Sequence, residues 1–136
     1  MDIKTKVTGT QHVGIPTNEI KKSISFYEGI GFEVVWQTVN ELNNQAVVFL
    51  RLGNLVMEIY ENGQAAMKAG AIDHIALDVT DIDSVFESVK KDGYKMLDEK
   101  VQYLPFWKYG VKFFTITGPN GEKIEFCEKL NQSYLL

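Results

Sequence analysis

The tetrapeptide His12-Val-Gly-Ile15 recurs 62 positions later as His74-Ile-Ala-Leu77. A polar cluster and then a segment with helical spacing follow each copy. Both segments end at a glycine, Gly31 and Gly93, and these are again 62 positions apart. Similarity at a fixed interval indicates a repeated structural unit. The chain therefore contains two copies of one motif.

Hydrophobic periodicity assigns the same elements to both copies. Apolar residues alternate along the first segment, which is typical of a strand, and recur every three or four residues along the next, which is typical of a helix. Three further strands are predicted after each helix, at residues 32–38, 45–52 and 55–60 and at residues 94–101, 111–117 and 123–128. Each copy is thus a βαβββ module, at about residues 8–62 and 70–129. The fold class is α+β, and 136 residues form a single domain from the two modules.

The predicted helix starts carry residues that favour helix N-termini. Thr17-Asn18 precedes the first helix, and Thr80-Asp81-Ile82-Asp83 resembles a capping box with Asp in the Glu position. We therefore expect side-chain oxygens of these residues to accept hydrogen bonds from the first helical amides.

An acid stands between two apolar residues on the last predicted strand of each copy, at Glu58 and Glu125. Neighbours on a strand point to opposite faces, so these acids and both histidines lie opposite the face that a helix can cover. The acids are 67 positions apart. The five extra residues of the second copy are expected in the loop 102–110.

Two histidines and two acids at equivalent positions favour a metal site. A polar residue alone on such a face usually meets only solvent, but these are the two histidines of the whole chain. Two neighbouring carboxylates repel unless a cation joins them, and this ligand set suits a divalent transition metal. The expected ligands of one Zn, Ni, Co, Fe or Mn ion are His12, Glu58, His74 and Glu125.

The motifs of this chain resemble the vicinal oxygen chelate superfamily, also called the glyoxalase, bleomycin-resistance and dioxygenase superfamily. The resemblance spans about residues 8–128 and is carried by His12-Val-Gly-Ile, Ser25-Phe-Tyr with Gly31-Phe, Glu58, Asp73-His-Ile-Ala-Leu and Gly118-Pro-Asn-Gly-Glu-Lys-Ile-Glu125-Phe. It implies a cupped mixed sheet with helices on the outside. The cup would surround a metal that binds substrate through adjacent oxygens.

Within the superfamily, the ligand order His, Glu, His, Glu resembles glyoxalase I. This implies a lactoylglutathione lyase-like lyase or isomerase that acts on a hemithioacetal or a related vicinal-oxygen substrate, with a thiol cosubstrate. A proton would be abstracted through an enediolate held by the metal. The resemblance assigns the base to Glu125 and gives Glu58 the role of ligand and alternative base.

Substrate contacts are expected from two regions. Tyr60 and Asn62 follow Glu58, and Asn62 matches a polar contact of glyoxalase I, although Asn is also a common turn residue. The aromatic segment at residues 103–109 is expected as a groove or lid, or as a packing or dimer contact. The substrate contacts expected within it are Phe106, Trp107, Lys108 and Tyr109. Pro16 stands where glutathione-dependent enzymes carry an arginine, so glutathione is the least favoured thiol.

Other branches of the superfamily stay open as alternatives. Methylmalonyl-CoA epimerase uses the same enolate chemistry, and residues 46–54 resemble its third strand and turn, although the connection from Glu58 to His74 is short. A metal-free binding protein of the bleomycin-resistance type has no reason to bring two acids together. Dioxygenases and fosfomycin-modifying enzymes need only two His and one Glu, so Glu58 would be surplus.

Composition limits the partners. A formal net charge of −4 and a pI near 5.2 oppose nucleic-acid binding. No apolar run is long enough for a membrane span, and a single cysteine, Cys127, fits a reducing compartment. We expect a cytoplasmic protein with a small-molecule substrate. A homodimer is expected because relatives commonly form one, and the apolar tail at residues 130–136 is expected to dock on a partner or on the body.

Overall fold

The computed structural model describes residues 2–135, with the backbone but not the side chains of residues 134 and 135. The chain divides after Ala66 into two compact units, called unit 1 and unit 2 below. The end of the apolar tail, residues 134–136, lies outside the described side chains, so its docking stays a prediction. Among residues 2–135, none of the helices reaches the length and hydropathy that crossing a bilayer demands.

Unit 1 is a mixed sheet with one face against a helix. After a short 3-10 helix at Ile3–Thr5, its elements are β1 (Val13–Thr17), α1 (Ile20–Gly29), β2 (Glu33–Asn40), β3 (Gln45–Leu52) and β4 (Leu55–Glu61). The strand order is β1-β4-β3-β2, with β1 parallel to β4 and the other pairs antiparallel. The predicted βαβββ order of the first copy is confirmed.

Unit 2 repeats this order with an additional short strand. Its elements are β5 (His74–Asp78), α2 (Ile82–Lys91), β6 (Lys95–Met96), β7 (Gln102–Leu104), β8 (Val111–Thr117) and β9 (Lys123–Lys129), followed by a 3-10 helix at Gln132–Leu135. The strand order is β5-β9-β8-β6, and β7 pairs with β8. The α+β class is confirmed, and the cupping of the two modules stays a prediction.

The predicted strand at residues 94–101 is interrupted after Met96. Leu97 still donates its N–H to the carbonyl of Thr115, but the N–H of Thr115 donates to the carboxylate of Asp98 at 2.7 Å. A side-chain oxygen thus takes the place of a strand carbonyl, which ends the ladder. β7 and the loop up to Gly110 occupy the region where extra residues were expected.

Each helix packs on the apolar face of its own sheet. In unit 1, Tyr27 is fully buried and meets Phe32 edge-on, with ring centroids 5.2 Å apart. In unit 2, Phe86 meets Phe114 edge-on at 5.1 Å, and Phe114 stacks on Phe126 at 4.9 Å. Buried residues flank both predicted ligand acids along their strands. The alternation therefore turns the acids to the opposite face.

The helix starts are capped from elsewhere in the sequence, and the predicted local caps are wrong. Neither N-cap residue makes a side-chain capping hydrogen bond. Instead, Glu61 accepts from the N–H of Ile20 at 2.7 Å, and Glu128 accepts from the N–H of Ile82 at 3.0 Å. Both acids come from the last strand of their unit. A carboxylate at this place satisfies an orphan amide and complements the positive end of the helix dipole.

Candidate metal centre

In unit 1, two parallel strands bring His12 and Glu58 together. His12 directly precedes β1, and Gly14 lies opposite Glu58 in the register of β1 and β4. Nε2 of His12 is 3.8 Å from Oε1 of Glu58. Both side chains are partly exposed, so a small molecule or ion can reach them.

Unit 2 builds the same pair in the same way. His74 begins β5, and Ala76 lies opposite Glu125 in the parallel register of β5 and β9. Nε2 of His74 is 3.5 Å from Oε1 of Glu125. The two parallel strands of each module therefore position one imidazole against one carboxylate, on the face that the alternation in the sequence predicts.

Small residues beside the acids keep the space in front of them open. A Cβ built on Gly14 would lie 3.8 Å from Oε1 of Glu58 and 3.6 Å from the ring of Tyr60. Those are ordinary van der Waals distances, so a methyl group would fit there in contact with both side chains, but a larger side chain would reach into the space in front of the carboxylate. The equivalent residue in unit 2 is Ala76.

The spacing within each pair fits a shared cation. Distances of 3.5 and 3.8 Å exceed the usual range of a direct N–H···O hydrogen bond. Two donor atoms bound at about 2.0–2.2 Å to one metal ion lie roughly 3 to 3.5 Å apart. The distance of 3.5 Å in unit 2 lies at the end of this range, and the distance of 3.8 Å in unit 1 is slightly longer. Imidazole nitrogen and carboxylate oxygen are also donors that divalent transition metals accept. The residues present fit such an ion.

Each pair by itself supplies two donors. Among residues 2–135 there is no group of three or more His, Cys, Asp or Glu side chains placed to hold a metal ion. Each unit therefore contains half of the predicted ligand set. The binding of one ion by both pairs stays a prediction.

Both histidines use their other ring nitrogen on the residue directly before them. Nδ1 of His12 is 2.9 Å from Oε1 of Gln11, and Nδ1 of His74 is 2.9 Å from Oδ2 of Asp73. These contacts were not predicted from the sequence, although Gln11 and Asp73 are also 62 positions apart. Hydrogen bonding to His74 and then to Lys123 lowers the pKa of the Asp73 carboxyl.

The pair in unit 2 opens into a cavity of about 290 Å³. Its lining combines charged, polar and apolar residues: Asp73, His74, Leu97, Asp98, Phe113, Thr115, Lys123 and Glu125. Of these, only His74 and Glu125 were predicted as site residues. Phe113 and Thr115 lie on β8, with Thr115 opposite Glu125, so strand alternation could have found them. Leu97 and Asp98 reach this face through the irregular chain after β6, for which the sequence gives no periodic signal.

The predicted substrate contacts in unit 1 differ in their surroundings. Tyr60 lies on β4 two residues beyond Glu58, and its ring is near Gly14 on the same face. Asn62 follows β4, and its side-chain oxygen accepts from the N–H of Gln64 at 2.9 Å, which forms an Asx turn. Tyr60 is thus beside the acid, whereas the side-chain oxygen of Asn62 is engaged in a turn.

In the aromatic segment, the expected substrate contacts at residues 106–109 lie between β7 and β8 in unit 2. Trp107 is 73% exposed, and Nζ of Lys129 lies 3.9 Å from the centre of its ring. Lys108 lies over the ring of Tyr109, and Phe106 is exposed. Residues 106–109 are all described, and none of them lines the cavity around His74 and Glu125. Their role in substrate binding stays a prediction.

Cys127 lies two residues beyond Glu125 and forms a side-chain hydrogen bond with it. Burial, followed by the charge of Glu125, raises the pKa of the Cys127 thiol. A protonated thiol is a poor nucleophile.

Comparison with known families agrees with these features. The family model described as the Glyoxalase/Bleomycin resistance protein/Dioxygenase superfamily matches residues 9–126. The chain belongs to this superfamily. The match covers β1 through most of β9, and therefore all four predicted ligands of this superfamily member.

Two curated relatives resemble this superfamily member over most of its length. The uncharacterized protein YwbC of Bacillus subtilis is 30% identical over 123 residues, which cover 87% of this chain and 95% of YwbC. Human mitochondrial methylmalonyl-CoA epimerase is 30% identical over 101 residues, which cover 67% of this chain and 57% of the epimerase.

Solved structures support the glyoxalase-like fold. A glyoxalase family protein from Enterococcus faecalis has a TM-score of 0.73 and 25% identity, over 88% of this chain and 97% of that one. The fosfomycin resistance protein FosX from Listeria monocytogenes, solved with Mn(II) and a sulfate ion, has a TM-score of 0.72 and 16% identity. The FosX match covers 96% of this chain and 99% of FosX, and at this identity it shows the fold alone.

Proposed function

We propose that this superfamily member is a metal-dependent glyoxalase I-like lyase or isomerase. In this reaction type, a proton moves between carbons that carry adjacent oxygens. The observation that carries the proposal is the duplicated His-Glu pair, with Nε2 to Oε1 distances of 3.8 and 3.5 Å. A protein that only binds a small molecule has no need of two acids at these positions.

The proposed ligands of one divalent ion, Zn, Ni, Co, Fe or Mn, are His12, Glu58, His74 and Glu125. When bound, such an ion acts as a Lewis acid that polarises the substrate oxygens and makes the neighbouring C–H bond more acidic. Support for the ion comes from the donor types and their spacing in each pair. Manganese in FosX concerns that protein, which shares the fold.

Glu125 is the proposed base. Its side chain is 18% exposed, against 29% for Glu58. It also lines a cavity whose wall includes the apolar side chains of Leu97 and Phe113. A carboxylate on such a wall is shielded from water when substrate fills the cavity, which favours proton transfer to and from carbon. Glu58, the more exposed of the two acids, is the proposed ligand and alternative base.

The proposed substrate is a hemithioacetal or a related small molecule with adjacent oxygens, formed with a thiol cosubstrate. Tyr60 is the best supported of the proposed contacts because its ring lies beside Gly14 and Glu58. Asn62, Phe106, Trp107, Lys108 and Tyr109 remain proposed contacts with weaker support. Their side chains are held in a turn or lie on an exposed loop.

An epimerase of an acyl-CoA thioester is the second candidate. The human methylmalonyl-CoA epimerase is 30% identical over 101 residues of this chain. Epimerisation needs the same events, because a base removes a proton beside a carbonyl and a proton returns to the opposite face. The proposed base and ligands are therefore unchanged, and the substrate distinguishes the two candidates.

Metal loading followed by two parallel assays tests the proposal. The purified protein is loaded with Mn, Co, Ni or Zn and its metal content is measured. It is then assayed on methylglyoxal with several thiols and on methylmalonyl-CoA in deuterium oxide. One bound ion per chain with thioester formation supports the first candidate, and enzyme-dependent deuterium incorporation at the carbon next to the thioester carbonyl supports the second. Failure to bind any metal would contradict both and favour a binding protein.

A charge-matched pair of variants links the activity to the site. Glu125→Gln removes the proposed base, and we expect it to lower turnover by about 10²–10⁴-fold. Glu87→Gln makes the same change on the exposed side of α2 and should keep native turnover. Equal activity of both variants would contradict the role of Glu125.

We also propose a homodimer. β2 is an edge strand of the unit 1 sheet and carries exposed apolar side chains at Val35, Trp36 and Val39. An exposed apolar edge strand tends to pair with another chain. Analytical ultracentrifugation should give a dimer mass, and Val39→Lys should shift the mass toward the monomer. A monomeric native protein would contradict this proposal.

A further inference from the structure

The two histidines differ in the chemistry of the group that faces Nδ1. In unit 2 this group is the Asp73 carboxylate, at 2.9 Å. An ionised carboxylate can only accept hydrogen bonds, so Nδ1 of His74 must be the donor. A neutral imidazole has a single N–H. Nε2 of His74 therefore keeps its lone pair, and this nitrogen faces Glu125 at 3.5 Å.

The Asp73 carboxylate is itself held by a second contact. Nζ of Lys123 lies 3.3 Å from Oδ1, whereas His74 uses Oδ2. Lys123 is also the register partner of His74 across β5 and β9. Each oxygen of Asp73 thus has its own donor, and the pairing of the strands fixes all three residues relative to one another.

In unit 1 the corresponding group is an amide. Oε1 of Gln11 lies 2.9 Å from Nδ1 of His12. An amide carries both an acceptor and donors, so a half-turn about its last bond would satisfy the other tautomer equally well. Gln11 therefore supports His12 without selecting the nitrogen that carries the proton.

We infer that Asp73 is a positioning residue: it locks His74 in the Nδ1–H form and presents the lone pair of Nε2 to a metal ion shared with Glu125. Gln11 at the equivalent position leaves His12 free to exchange tautomers. The inference rests on the proposed function, because a metal is what the lone pair would bind. It makes the unit 2 pair the prearranged half of the centre.

Nitrogen-15 NMR of the metal-free protein tests the tautomers directly. The chain has two histidines, so the imidazole signals come from four ring nitrogens. At about pH 9, where imidazoles are neutral, we expect His74 to show a protonated Nδ1 and an unprotonated Nε2. His12 should show averaged signals. Averaged signals from both rings would overturn the inference.

Substitutions at position 73 separate charge from hydrogen bonding. Asp73→Ala removes the acceptor and should give His74 averaged nitrogen signals. Asp73→Asn places an amide there and should make His74 resemble His12. Asp92→Asn removes a carboxylate after α2 and should leave His74 unchanged, with backbone spectra confirming that all three variants are folded. If the ring-nitrogen signals of His74 are the same in Asp73→Ala as in the native protein, Asp73 does not fix the tautomer and the inference is overturned.

Calorimetric titration with Mn(II) and Ni(II) separates this inference from the proposed function. Asp73→Ala should weaken binding about 10- to 100-fold, in line with the loss of other groups that orient a ligating histidine. Gln11→Glu should strengthen binding, because it introduces the carboxylate that unit 1 lacks. If the native protein binds neither metal, the proposed function fails while the NMR result stands. If it binds metal equally well without Asp73, the inference alone fails.

Discussion

Unit 1 and unit 2 share their strand order, their His-Glu pair and a helix capped by a distant glutamate, but they differ around the pair. In unit 2 the histidine faces the carboxylate of Asp73, and the glutamate lines a cavity of about 290 Å³. In unit 1 the histidine faces the amide of Gln11 and packs edge-on against Phe49. The two copies thus share the predicted ligands but differ in the residues that orient and surround them.

From this difference we expect the two pairs to have different roles in the proposed centre. The less exposed carboxylate and the carboxylate-oriented imidazole are both in unit 2. Chemistry at carbon needs a shielded base and a rigid ligand, whereas entry and release of substrate need an open side. We therefore expect substitutions in unit 2 to affect turnover more than equivalent substitutions in unit 1.

The largest expected contrast is between the two glutamates. Glu125→Gln should lower turnover by about 10²–10⁴-fold, because it removes the proposed base. Glu58→Gln should weaken metal binding but retain more turnover once metal is saturating. Steady-state kinetics at saturating metal measures this difference. If Glu58→Gln has the lower turnover, the roles of the two acids are exchanged.

The core of unit 2 offers the next largest effect. Phe114 is fully buried between Phe86 and Phe126, so Phe114→Ala should lower the free energy of unfolding by about 3–5 kcal/mol. Phe106→Ala makes the same change at an exposed position and should stay within about 0.5 kcal/mol. Urea denaturation measures both, and similar losses would contradict the assigned core.

The helix caps should give a smaller effect that again differs between the units. Glu128 accepts from the N–H of Ile82 and also from that of Asp81, whereas Glu61 accepts from Ile20. Glu128→Ala and Glu61→Ala should each lower the free energy of unfolding by about 1–2 kcal/mol, with Glu128 the larger. Glu87→Ala, on the exposed face of α2, is the control. If Glu87→Ala lowers the free energy of unfolding as much as either capping variant, the capping role is contradicted.

The reactivity of Cys127 should change least. Burial and the charge of Glu125 raise its thiol pKa, so at pH 8 little thiolate is present and alkylation by iodoacetamide should be slow. Glu125→Gln removes the negative charge, which lowers the thiol pKa and raises the thiolate fraction. Alkylation should then be severalfold faster at the same pH. An unchanged rate would contradict the contact between Glu125 and Cys127.

Regular strands were predictable where apolar alternation ends at a turn. The predicted strands at residues 45–52 and 111–117 have the bounds that β3 and β8 show, and glycine-containing turns follow both. The strand predicted at residues 94–101 is regular only at Lys95–Met96. Beyond it, the N–H of Thr115 donates to the carboxylate of Asp98 and not to a strand carbonyl. The helix caps were wrong because their acceptors lie more than forty positions along the chain.

The candidate site was predictable to the level of the pair. Strand alternation and the repeat together placed each histidine and its glutamate on the same face, and the parallel pairing of their strands brings them together. Gln11 and Asp73 could have been found by the same offset. The meeting of the two pairs depends on how the units are arranged, which hydrophobic periodicity within a module does not encode. The cavity wall at Leu97 and Asp98 depends on irregular backbone, for which no periodic signal exists.

The position of each ligand acid is tied to that of a capping acid on the same strand. Glu58 and Glu61, like Glu125 and Glu128, are three residues apart, so the members of each couple point to opposite faces about 10 Å apart along the strand. A slip of β4 or β9 by one residue would uncap a helix and at the same time turn the ligand into the core. The correct register of each final strand therefore serves two purposes, because the same alignment caps a helix and places a glutamate beside its histidine.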